Sequence, residues 1–198
     1  YDYFVARDRV ALVCGDVAGH GLASGIVLAS LRSGFTLLRD ALDDPAAVMR
    51  RLHDLVAQTS RRRLLASVAV VLLDEKTRRA TVASAGHPPV IFRRDGNTRA
   101  IELFAPPLGV RLPLNVPQIS FDVQPGDLFV LHSDGIYEAR NAAEEVYGLD
   151  RLAAFVDAQP HDVTAEQLRD ALVADVERFR GGVAQADDVT IVVARVVA

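Results

Sequence analysis

The sequence predicts an α+β fold in which antiparallel β-sheets carry helices on their outer sides. Two observations lead there. Short apolar, β-rich runs punctuated by turn signals recur through the middle of the chain, and helical periodicities occur in blocks rather than between successive strands. That arrangement argues against a doubly wound parallel sheet, in which helix and strand would alternate.

The elements follow in order. Residues 10–14 are apolar and β-rich, and read as a buried strand. Over 22–42, Leu28, Leu31, Phe35, Leu38 and Leu42 recur at spacings of three and four, which places them on one helix face. Asp44 then caps a second helix that has Pro45 at its first position and buries Val48, Leu52, Leu55 and Val56. Residues 67–73 and 80–85 read as strands joined by the polar turn Asp74-Glu75-Lys76-Thr77. Gly86-His87-Pro88-Pro89 interrupts, because neither proline can donate to a sheet ladder. Residues 90–92 resume a strand, and Asp95-Gly96 marks a hairpin turn. An irregular connection over 106–117 holds four prolines. Strands over 119–123 and 128–131 meet at Pro125-Gly126-Asp127. A short helix over 148–156 precedes a longer one over 164–179, with Thr164 and Gln167 as a capping box and Leu168, Leu172, Val176 and Phe179 inside. Gly181-Gly182 stops it, and 189–197 is the last strand.

With 198 residues and 50% hydrophobic content, the chain can bury one sizeable core, so a single domain over 1–198 is expected. A net charge of −4 gives no electrostatic reason to expect nucleic acid or an anionic membrane surface. The basic residues are almost all Arg and scattered; the one run, Arg61-Arg62-Arg63, reads as a solvated loop. The single cysteine, Cys14, cannot form an internal disulfide and reads as a small buried hydrophobe. No apolar stretch suits a membrane span and no signal peptide is visible. The chain starts at Tyr1 rather than Met, and is expected to be a fragment of a longer protein or a processed one.

Three acidic motifs carry the chemistry: Gly15-Asp16-Val17-Ala18-Gly19-His20-Gly21, Ser133-Asp134-Gly135 and Asp187-Asp188-Val189-Thr190. Each puts aspartate at or beside the end of an apolar run. Taken singly, each is also an ordinary turn, and Asp16 could cap the following helix. Together they could gather Asp16, Asp134 and Asp187 around two hard cations, which would acidify a water and clamp a phosphoryl group. His20 is placed to donate a proton to a leaving oxygen, or else to bond turn backbone. His87 reads as structural, His132 as buried and neutral, and His53 and His161 as surface residues. Gly19-x-Gly21-x-x-Ser24 approaches a dinucleotide-binding loop, but Asp40 falls inside a helical pattern instead of at a strand end. Ser24 and Ser133 lack the surroundings of a nucleophile elbow.

The ordered motif set resembles the PPM-type metal-dependent protein serine/threonine phosphatases, in their bacterial SpoIIE/RsbU branch. The resemblance rests on Tyr1-Asp2-Tyr3-Phe4, the segment from Gly15 to Gly21, Ala83-Ser84-Ala85-Gly86-His87-Pro88-Pro89 and Pro107-Leu108-Gly109. It continues through Pro125-Gly126-Asp127, Ser133-Asp134-Gly135-Ile136-Tyr137-Glu138-Ala139, Tyr147-Gly148 with Arg151-Leu152, and Asp187-Asp188-Val189-Thr190. It implies an αββα sandwich of two antiparallel sheets flanked by helices, and a site for two Mn2+ or Mg2+ ions. By position, Asp16 would bridge the ions, Val17 would offer its carbonyl, and Asp134, Asp187 and the adjacent Asp188 would complete the set. The reaction implied is hydrolysis of phosphoserine or phosphothreonine without a covalent intermediate. The family usually places Gly-Gly-Asp just before the segment seen here as Tyr1-Asp2-Tyr3, and its Asp is a ligand; Asp2 does not hold that position. A cytoplasmic setting, a phosphorylated anti-sigma-factor antagonist as substrate and an attached sensory domain are what the resemblance implies, and the apolar helix over 22–42 could serve a homodimer or a regulatory switch. A phosphatase-like binding module with weak catalysis is the alternative.

Overall fold

Nine strands and five helices organise the computed structural model, which describes residues 1–60 and 64–197. In chain order they are β1 (Asp2–Ala6), β2 (Arg9–Val17), α1 (Leu22–Leu38), α2 (Pro45–Thr59), β3 (Ala66–Asp74), β4 (Arg79–Ala85), β5 (Val90–Arg94), β6 (Asn97–Ile101), β7 (Gln118–Asp122), β8 (Leu128–His132), α3 (Asp134–Tyr137), α4 (Leu149–Asp157), α5 (Ala165–Arg180) and β9 (Ile191–Arg195). The Arg61-Arg62-Arg63 run lies outside the described residues. Among the described residues, no helix is long and apolar enough to cross a membrane. The chain forms two compact units: Tyr1–His87 with Leu103–Val123, and Pro88–Glu102 with Gln124–Ala198.

The first unit is built on a five-stranded antiparallel sheet in the order β1-β2-β3-β4-β7. Period-two alternation sends Ala11 and Val13 of β2, and Val68, Val70 and Leu72 of β3, into one core with α1 and α2. Val27, Leu31 and Phe35 of α1 and Val48, Met49, Leu52 and Val56 of α2 fill it. Each such aliphatic side chain contributes about 1.5–3 kcal/mol on burial. Phe4 of β1 stacks on Phe35 with ring centroids 5.7 Å apart, which ties the edge strand to the helix layer.

Three local details differ from the sequence expectation. The first helix ends at Leu38, and a 3-10 turn over Arg39–Ala41 replaces its last turn. Asp44 precedes Pro45, so it must leave the helical region, and it does so at φ −124°, ψ 86°. The i→i+3 bond from Leu42 N–H to Arg39 C=O closes the helix early. Leu28, expected inside, is 56% exposed; the buried stripe runs through Ser24, Val27, Leu31 and Phe35. The segment Asp2–Ala6 is a strand, which its short length and polar flanks did not announce. Asp44 does cap α2, accepting from Ala47 N–H at 3.0 Å.

The second unit carries a four-stranded antiparallel sheet in the order β6-β5-β8-β9. Ile91, Leu128 and Val130 pack against Leu152 and Val156 of α4 and Leu168, Leu172 and Val176 of α5. The β5–β6 hairpin turns at Asp95 and Gly96, both with positive φ, as a tight primed turn requires. Thr164 and Gln167 form the expected capping box, and left-handed Gly181 closes α5. Asp127, 1% exposed, is held by Arg94 at 2.6 Å and by Gln124 N–H at 2.9 Å, so its charge is compensated. The last strand starts at Ile191, two residues later than the alternation suggested, for a reason that lies in the site.

Candidate metal centre

In the first unit, Asp16 is the second-last residue of β2, opposite Ser67 of β3. Alternation puts it on the face of Leu12 and Cys14, away from the core of α1 and α2, and its side chain is exposed. Ser67 is held in turn: its Oγ lies 3.0 Å from His87 Nδ1. Val17 ends the strand opposite Ala66, and Ala18 N–H donates to Leu65 C=O at 2.9 Å. His20 is exposed in the turn that follows. The residue capping α1 is Gly21, with no side-chain bond, so Asp16 is not that helix's cap. The strand ladder, not a capping bond, fixes the backbone at Asp16.

The second unit uses a different device. After β8, Ser133 leads into the single turn α3, whose first residue is Asp134. Ser133 Oγ donates to Asp188 C=O at 2.9 Å and accepts from Thr190 N–H at 2.9 Å, while Ser133 N–H donates to Thr190 C=O at 3.0 Å. One hydroxyl thus fastens the irregular 187–190 segment to the end of β8, and regular pairing begins only at Ile191. Gly135 completes the fit: a Cβ there would stand 2.4 Å from Asp188 O, a separation real side chains do not adopt. The Ser-Asp-Gly and Asp-Asp motifs are therefore two parts of one local structure. Asp188 N–H also donates to Asp187 Oδ1 at 2.7 Å.

The donors fit a hard cation. Asp134 is partly exposed and Asp187 and Asp188 are exposed, and among the described residues no Lys or Arg pairs with any of the three. Oxygen-only carboxylate and carbonyl donors suit Mg2+ or Mn2+, which keep several waters and take few protein ligands. Among the described residues, no group of three or more His, Cys, Asp or Glu side chains could hold a metal ion by itself.

The remaining candidates resolve plainly. His132 is 1% exposed, its Nδ1 is 3.1 Å from Ser133 O, and its ring meets Tyr137 edge-on at 5.9 Å. Burial holds its pKa below the ordinary value, as the sequence reading anticipated. Cys14 is fully buried and its thiol is pushed up to about 11 by desolvation, which keeps it unreactive. Ser24 Oγ is committed to Gly21 C=O at 3.1 Å, and Ser133 Oγ to the clamp, so neither is poised as a nucleophile. Asp40 sits in the 3-10 turn and both sheets are antiparallel, which removes the dinucleotide reading. His53, expected on a helix surface, is buried. The sequence offers Ser133 only as a nucleophile candidate, and its position one residue before the Asp-Gly pair is the available sign of a clamp.

Two antiparallel sheets flanked by helices are the fold of PP2C-type phosphatase domains. The SiaA-PP2C domain of Pseudomonas aeruginosa matches with a TM-score of 0.82 at 22% identity, covering 98% of this chain and 78% of that one. The family model of stage II sporulation protein E (SpoIIE) matches residues 6–197, and the chain belongs to that family. Phosphoserine phosphatase RsbP of Bacillus subtilis (strain 168) is 26% identical over 144 residues, 70% of this chain and 36% of RsbP. Phosphoserine phosphatase RsbU of the same organism is 22% identical over 142 residues, 71% of this chain and 42% of RsbU. The chain thus spans less than half the length of these curated relatives.

Proposed function

We propose that this chain is a metal-dependent protein serine/threonine phosphatase domain that hydrolyses phosphoserine or phosphothreonine on a regulatory protein. The observation that carries the reading is the Ser133 clamp. It keeps Asp134 beside Asp187 and Asp188, with no basic partner among the described residues, in a chain of the SpoIIE family. Asp16, the Val17 carbonyl, Asp134, Asp187 and Asp188 are the proposed holders of two Mn2+ or Mg2+ ions. When bound, such ions acidify a water and neutralise phosphoryl oxygens. His20, exposed on its turn, gives a proton to the leaving seryl or threonyl oxygen. Ser133 and Gly135 orient the acidic segments and take no part in bond making.

RsbP and RsbU are both named phosphoserine phosphatases, which supports a phosphoserine substrate. That the substrate is an anti-sigma-factor antagonist in a partner-switching circuit is the part of the proposal that rests on the motif resemblance. A cytoplasmic setting, an attached sensory module and a homodimer belong to the same proposal. The test is hydrolysis of p-nitrophenyl phosphate and of a serine-phosphorylated antagonist with Mn2+, with Mg2+ and with EDTA. Metal-dependent turnover that EDTA abolishes supports the enzyme. A folded protein that binds the phosphorylated antagonist but never releases phosphate supports the second reading, a phosphatase-like binding module.

A further inference from the structure

The buried His53 has no part in the chemistry above, yet its bond leads back to Asp16 and Val17. His53 lies on α2 and is 8% exposed. Its Nδ1 accepts a hydrogen bond from Gly109 N–H at 3.2 Å, so that nitrogen carries no proton. Gly109 has φ +90°, and a Cβ there would meet Val56 Cγ1 at 2.7 Å and Leu64 O at 2.9 Å. The 107–109 segment is thus pressed between α2 and the approach to β3. Leu108, fully buried, exchanges two backbone bonds with Ala66: Leu108 N–H to Ala66 C=O at 2.8 Å, and Ala66 N–H to Leu108 C=O at 3.1 Å. Ala66 is the residue that faces Val17 across the ladder, and Leu65 C=O receives Ala18 N–H. An unbroken run of contacts therefore joins the His53 ring to the last pair of the β2–β3 ladder.

A ladder's final pair frays unless something beyond it holds the backbone. Here the holding element is the Leu108 bridge, and the bridge is anchored on one side by a single side-chain acceptor. We propose that His53 is a positioning residue for the metal centre: by accepting from Gly109 it holds Leu108 against Ala66 and so fixes the backbone of Val17 and Ala18. The link to metal rests on the phosphatase reading, in which the Val17 carbonyl is a ligand; the brace itself does not.

The experiment uses the whole chain with His53→Leu, His53→Asn and His53→Gln. Leucine removes the acceptor, Asn offers an oxygen near the place of Nδ1, and Gln carries it one bond farther out. Mn2+ affinity is read by titration calorimetry, folding by thermal melting, and the brace by amide exchange at Ala18 and Gly109. His53→Leu should weaken Mn2+ binding about ten-fold, the scale on which groups behind a ligand act, and speed exchange at both amides. His53→Asn should stay close to the parent chain. A folded His53→Leu with unchanged Mn2+ affinity and unchanged exchange at Ala18 overturns the proposal, as does a folded His53→Asn that loosens Ala18 as much as Leu does. If His53→Leu does not fold, Asn against Gln decides: looser Ala18 exchange in Gln supports the brace, and equal exchange overturns it. If the parent chain binds no Mn2+, the metal reading fails, and the exchange at Ala18 alone still decides the brace.

Discussion

Asp16 and Asp134 are both delivered by the ends of apolar strands, but they are held in place by opposite means. Asp16 still belongs to a ladder, with Ser67 opposite and backbone pairing on either side. Asp134 has left its strand, and its neighbours Asp187 and Asp188 never join one; a serine hydroxyl and the space above a glycine hold that segment. Backbone ladders tolerate side-chain changes because each bond is shared between chains of similar geometry. A side-chain clamp concentrates the same task in one atom, so removing the Ser133 hydroxyl should hurt its acidic segment far more than removing the Ser67 hydroxyl, opposite Asp16, hurts the ladder.

Asp134→Asn keeps shape and removes charge. It should lower Mn2+-dependent turnover by roughly 10²–10³, the scale for one lost charge-stabilising group, with the melting temperature unchanged. Turnover equal to the parent chain would remove Asp134 from the site. His20→Ala comes next, at about 10² on a phosphoserine protein, the low end for a general acid. On p-nitrophenyl phosphate it should do little, because nitrophenolate leaves without a proton. Equal losses on both substrates would end the proton-donor role.

Gly135→Ala and Ser133→Ala test the clamp directly. The added methyl must displace Asp188, which should cost about 1–3 kcal/mol in urea unfolding and weaken Mn2+ binding. Removing the hydroxyl leaves Thr190 N–H without its partner, at about 1–3 kcal/mol. Ser67→Ala in the first unit loses only one bond, to His87, and should cost about 1 kcal/mol. If Ser67→Ala proves as damaging as Ser133→Ala, the contrast between ladder and clamp is wrong.

The smallest expected effect is on acid stability, and it also differs between the units. Burial lowers the folded pKa of His132 below its ordinary 6.5, so the unfolded chain takes up a proton first as pH falls. Stability from the second unit should therefore decline below about pH 6.5 and go on declining until the lowered folded value is reached. In the first unit, the hydrogen bond from Arg9 at 2.8 Å lowers the pKa of Asp74. That contribution is present above the unfolded value near 3.9 and is lost only as pH falls through the folded one. Thermal melts from pH 7 to 3 in EDTA, with His132→Phe as the comparison, separate the two. A parent chain and a His132→Phe chain with the same slope between pH 6.5 and 5 would remove His132 as the cause.

Most of the elements, and the identity of the acidic motifs, are legible in the order of residues alone. Periodicity, caps and turn residues act within a few positions, and so Asp44, Thr164 with Gln167, Asp95-Gly96 and Gly181 all do locally what their residue types require. The ordered motifs were legible for the same reason, each being a short run with one backbone task. Packing settles the rest: which face of α1 is buried, where β9 begins, that Ser133 is a clamp, and that His53 is inside. Each of these depends on a partner 55 or 56 residues away, as Asp188 is from Ser133 and Gly109 from His53, or on packing across a sheet. A hydroxyl or an imidazole has no preferred partner at such a distance until folding brings one within 3 Å or so, whereas a cap or a turn has its partner already in hand.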